Sequence, residues 1–96
     1  MTRSDILHKS FSEDFVRRMK DAVTMSHFKY GLLADRKKPE KDHVDELRNA
    51  IYRLKLYEKT GNTEYLVDAA NFLMFEYMEM KGHFLGTDND PDSVLI

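Results

Sequence analysis

Lys59-Thr60-Gly61-Asn62-Thr63-Glu64 sets a helix stop directly against a helix start. A glycine at 61 takes the left-handed C-cap conformation without steric penalty, and Asn62 or Thr63 brings an oxygen to cap the next helix. Glu64 then complements the helix dipole in the first turn. A joint this short leaves two flanking helices antiparallel and side by side. Upstream of it, Val44, Leu47, Ile51 and Leu54 recur at 3-4-3 spacing, with Ala50 and Tyr57 widening the stripe and Asp42 as N-cap. This spacing predicts a helix over 42–60. Downstream, Leu66, Ala69, Ala70, Leu73, Tyr77 and Met80 make one stripe, and Val67, Met74 and Met78 make a second beside it. A helix over 63–81, stopped by Gly82, follows.

An earlier helix is predicted over 10–30. Ser10 and Glu13 have capping-box spacing, and Phe15, Val16, Met19, Ala22, Val23 and Ser26 line one face. Arg17, Arg18, Lys20 and Asp21 fall on the other side, and Gly31 suits the C-cap. Between these helices runs a basic linker holding Arg36, Lys37, Lys38 and Lys41, where Pro39 bars a continuous helix. The expected architecture is therefore an all-α, three-helix single domain over 1–96. Residues 1–9 form an N-terminal segment, the last two helices form an antiparallel hairpin, and 82–96 form an irregular tail. In that tail Val94-Leu95-Ile96 is expected to dock back or onto a partner.

The chain has 96 residues and no cysteine, so neither disulfides nor thiolate–metal sites supplement its core. A domain of this size buries only about 60–65% of its unfolded surface, which makes a monomer marginal. The third helix carries more apolar surface than two others can cover, so a homo-oligomer is expected. Phe72, Phe75, Met74 and Met78 form its interface in this reading, with Ala69 and Ala70 allowing close approach. Asp68 and Asn71, polar residues within this apolar helix, are expected to fix its register. A net charge of −2 with 33% charged residues argues against a dedicated nucleic-acid binder. No apolar run approaches the roughly 20 residues of a membrane span, and no secretory leader is visible, so the expected location is cytoplasmic.

Asp42, Asp45 and Glu46 open the second helix, and Glu64 and Asp68 open the third. Carboxylates at i, i+3 and i+4 share a helix face and can present oxygens to magnesium. Here the chain resembles the all-α nucleotide pyrophosphohydrolases of the MazG kind, over roughly 42–77. Those enzymes hold magnesium with an EExxE motif on one helix and an ExxD motif on the next. The resemblance implies Asp45, Glu46, Glu64 and Asp68 as metal ligands and magnesium as cofactor. An antiparallel hairpin, however, sets Asp45 and Glu46 most of a helix length from Asp68. Glu76, Glu79 and His83 form another polar strip, at i, i+3 and i+7, able to hold a metal in an oligomer. Asp88-Asn89-Asp90-Pro91-Asp92 imitates the start of a calcium loop but lacks the glycine and the closing glutamate. There is no nucleophile elbow and no Gly-rich phosphate loop.

The run from Thr60 to Glu76, followed by His83-Phe84 and Thr87-Asp88, also resembles a small uncharacterised family of phages and mobile elements. That resemblance implies a protein that binds and modulates another protein. The leading expectation is thus a non-enzymatic helical interaction module without catalytic residues or cofactor. Its partners would be a second copy of itself and a host protein, such as a defence component that it inhibits. The alternative is a magnesium-dependent protein that binds or processes nucleotides. Converging carboxylates would favour the second, and scattered solvated ones the first.

Overall fold

The computed structural model describes residues 1–31, 45–79, 84, 86 and 87. Its described elements are four helices: α1 (Arg3–Ser10), α2 (Glu13–Tyr30), α3 (Glu46–Thr60) and α4 (Glu64–Met78). No strand occurs among the described residues. The protein is all-α. The positions assigned from sequence to Asp42, Val44, Met80, Gly82, His83, the basic linker and the tail from Asp88 onward lie outside the described residues.

One helix more than expected appears at the start. Thr2 caps α1 through a complete capping box: its hydroxyl accepts from Asp5 N–H at 3.2 Å, and its own N–H donates to Asp5 Oδ2 at 2.9 Å. These bonds hold the Asp5 carboxyl below its ordinary range. The cap is purely local, since every residue of α1 is exposed and α1 packs on no other described element. Its residues form no apolar stripe. Ser10 therefore ends α1 instead of capping the next helix, Phe11 is extended, and Ser12 caps α2 by accepting from Phe15 N–H at 3.0 Å.

The face expected of α2 is the one it buries. Phe15, Val16, Met19, Ala22, Val23 and Ser26 are all half-buried. On the opposite side Arg17 and Arg18 pair with Asp14, and Arg17 reaches Asp21 at 3.4 Å. Such exposed pairs contribute little to stability. The helix docks on α4 but does not touch α3. A buried amide anchors it: Asn71 Nδ2 donates to the Met19 carbonyl at 3.1 Å, across 52 residues of chain.

The α3–α4 joint forms as its residues dictate. Gly61 closes α3 with φ 71° and ψ 6°, its N–H donating to the Tyr57 carbonyl. Asn62 Oδ1 accepts from Glu64 N–H at 3.0 Å and starts α4, whereas Thr63 makes no side-chain cap bond. The two helices then pack extensively against each other.

Their contact face differs from the expected one. Leu47, Ile51 and Leu54 are 48, 45 and 42% exposed, while Ala50 is fully buried and Ala69 opposite is 1% exposed. Small side chains let helix backbones approach closely, so the alanines take the seam and rotate the leucine stripe about a quarter-turn away. On α4, Val67 and Asn71 are buried beside Ala69, whereas Leu73, Tyr77 and Met78 remain exposed. Among the described residues the buried apolar core is only Ala50, Val67 and Ala69.

Two substitutions test this scheme by urea denaturation. Asn71→Ala removes the amide that ties α2 to α4 and should lower stability by about 1–2 kcal/mol, with faster amide exchange confined to α2. Gly61→Ala forces a Cβ into positive φ and should lower stability by roughly 1 kcal/mol. An unchanged midpoint for both would contradict these roles.

Candidate metal centre

Fifteen residues back from Gly61 is Glu46, and fifteen on from Asn62 is Tyr77. An antiparallel hairpin with this joint therefore sets the first residue of α3 among the last residues of α4. Glu46 meets Glu76 and Glu79 there. One carboxylate oxygen from each can be chosen so that all three lie within 4.8 Å of one another. Glu46 is completely buried and is the largest fully buried side chain described; Glu76 and Glu79 are half-buried.

Local structure places each of the three. Asp45 caps α3, accepting from Arg48 N–H at 3.0 Å, and this positions Glu46 in the first turn. The Glu46 side chain shares the α3 face of Ala50, seven residues short of Arg53, so it points into the seam. Glu76 and Glu79, three residues apart, share one face of α4 across its C-terminal end. Taking an ion out of water costs several kcal/mol even after the protein relaxes, and three crowded carboxylates also repel one another. Hard carboxylate oxygens from three side chains suit magnesium or manganese, which would leave open positions for water or phosphate oxygens.

The four metal candidates named from sequence are divided by the fold. Glu46 joins the carboxylate cluster. Asp45 beside it serves as helix cap and pairs with Arg48 at 3.2 Å. Glu64 and Asp68 lie at the other end of α4, lining an open cleft of about 490 Å³ together with Arg18, Asp21 and Asn62. Asp68 sits 3.9 Å from Arg53. Partial burial and the nearby Glu64 charge raise the Asp68 pKa, against the opposing pull of Arg53. The Arg53 guanidinium also stacks on the Tyr52 and Phe72 rings, at 5.6 and 5.5 Å.

The residues expected at an interface are distributed as follows. Ala69 is buried in the α3–α4 seam; Ala70, Phe72, Met74 and Phe75 are half-buried; Met78 is exposed. Phe72 and Phe75 make an edge-to-face pair at 6.2 Å. Met74 helps line an apolar cleft of about 310 Å³ with Val16, Met19 and Val23 of α2. Glu76 and Glu79 were recognisable as a pair by their spacing. Their junction with Glu46 required joining that spacing to the hairpin count given above.

Asp68 supplies a pH test. Its folded pKa is raised, so the folded state holds this proton more tightly than the unfolded chain does. Stability is therefore lost as pH rises through the carboxylate range. Asp68→Asn should melt at a higher temperature than the wild type at pH 7, with the difference vanishing below about pH 3. A lower melting temperature at pH 7 would mean that the Arg53 contact outweighs burial.

Comparison of the chain with protein-family models, with curated proteins and with solved structures finds no match in any of the three.

Proposed function

We propose that the protein binds a divalent cation through Glu46, Glu76 and Glu79 and uses it to hold or process a nucleotide. One observation carries this reading: two helices that are neighbours by virtue of a two-residue joint deliver three carboxylates to one point, one of them fully buried. Scattered, solvated acids are what an interaction surface alone would leave. A metal held by three carboxylates keeps free positions, and phosphate oxygens are its natural additional ligands. In such a site the cation would neutralise charge developing on a phosphoryl group and orient a water against it.

A second reading, the protein-binding module of phage type, draws support from the large apolar side chains left exposed on α3 and α4. The two readings use different surfaces and are compatible in one molecule.

The deciding measurement is calorimetric titration of the purified protein with manganese and magnesium, followed by thermal melts. Binding tighter than about 1 mM is expected, abolished in both Glu46→Gln and Glu79→Gln. At a hundredfold excess over Kd the cation should add about 2.7 kcal/mol of stability. Pyrophosphate or phosphate release from a panel of ribo- and deoxynucleoside triphosphates then separates processing from binding. Absence of cation binding in the wild type, or its persistence in both glutamine variants, would sink the proposal.

A further inference from the structure

Among the described residues the buried polar side chains are Glu46 and Asn71, and Asn71 has no part in the carboxylate cluster. It is 5% exposed and sits where α4 receives α2. Its two polar atoms differ in their surroundings. Nδ2 donates to the Met19 carbonyl at 3.1 Å, whereas Oδ1 is shut off from solvent and has no hydrogen-bond partner among the described residues. An unpaired buried carbonyl oxygen costs about 1–3 kcal/mol, so it calls for a donor that the described chain does not supply. The nearby Thr24 hydroxyl is already spent, because it donates to the Lys20 carbonyl at 2.8 Å.

Asn71 is also part of the wall of the apolar cleft of about 310 Å³ between α2 and α4. Val16, Met19 and Val23 line that cleft from α2, and Met74 lines it from α4. Its volume is at the lower end of the roughly 300–1,000 Å³ of small-molecule clefts, and apolar walls with very few polar groups are their usual make-up. Met19 gives the carbonyl that holds Asn71, and Met74 lies one turn along α4 on the same face. Unbranched methionine side chains change rotamer readily, so these two can part to admit a flat ring and uncover Oδ1. A ring seated there would also cover Val16, Met19 and Val23, which α4 leaves half-buried.

Three features restrict the occupant. The walls demand an apolar body. Oδ1 accepts and cannot donate, so that body must carry an N–H or O–H. No acid lines the cleft, and Lys20, exposed on its edge, adds a positive charge that favours an anionic group at the ligand's outer end. We propose that the α2–α4 cleft binds a small aromatic acid of the indole carboxylate class. The ring lies between Met19 and Met74, its N–H donates to Asn71 Oδ1, and its carboxylate faces Lys20. The site shares no residue with the carboxylate cluster, so either can fail and leave the other standing.

NMR titration of the isotope-labelled full chain tests this with two probes, indole propionate and its N-methylated derivative, which differ in the ring N–H. Indole propionate should shift the Asn71 side-chain amide and the backbone amides of Met19, Val23 and Met74, with a Kd below about 1 mM. The N-methylated probe should bind roughly tenfold more weakly. Asn71→Leu should erase the difference between the probes, and Lys20→Gln should weaken both by the same factor. Should Asn71→Leu fail to fold, the wild-type comparison decides alone. No shift in the wild type up to about 10 mM overturns the proposal. Equal affinity for the two probes overturns it as well, since the cleft would then be an apolar gap that takes any ring.

Discussion

Two residues, Gly61 and Asn62, constrain the hairpin on which the rest of the described fold is built. Gly61 adopts a positive φ that few other residues tolerate, and this lets α3 end without a further turn. Asn62 caps the following helix through its side chain, so α4 begins at once. With no slack between them the helices must lie antiparallel, and each position on one acquires a determined neighbour on the other. Ala50 and Ala69 can then share a close seam, and Glu46 must lie among the last residues of α4. A longer joint would free the register and scatter the carboxylates.

Core size and site chemistry are connected through that seam. Alanines bring the backbones close but bury little area, so the hairpin gains geometric definition more than hydrophobic stabilisation. The leucines that could have formed a larger core are rotated outward instead. A fully buried carboxylate at the open end, that of Glu46, has to be compensated by polar groups around it. The hairpin thus carries a carboxylate cluster at one end and exposed apolar side chains along its side.

The α2 helix plays a different part. It docks on α4 alone, along a half-buried apolar face, and its register is set by the Asn71–Met19 bond. A buried amide that satisfies its donor across 52 residues is a specificity device, because sliding α2 by one turn would leave that donor unpaired. α1, held by the Thr2–Asp5 capping box and touching no other described element, is set entirely by local hydrogen bonds.

Elements whose causes are local are legible in the chain before it folds. The glycine stop, a helix start at Asn62 or Thr63, the part-buried face of α2 and the all-α class follow from caps, φ preferences and 3.6-residue periodicity, all of which act within a few residues. α1 escaped that reading because a capped helix with no apolar stripe looks like any charged segment. The tertiary structure decided which of two adjacent faces of α3 meets α4. Leu47-Ile51-Leu54 and Glu46-Ala50-Arg53-Tyr57 are both legible as stripes, and only the fit of Ala50 against Ala69 selects the second. It also decided the meaning of the acids. Glu46 belonged by sequence with Asp45, and Glu76 with Glu79, but proximity between these groups exists only once the hairpin is closed. Periodicity records which residues share a face of one helix; it carries no information about which face another helix will choose, because that choice depends on the shapes of both.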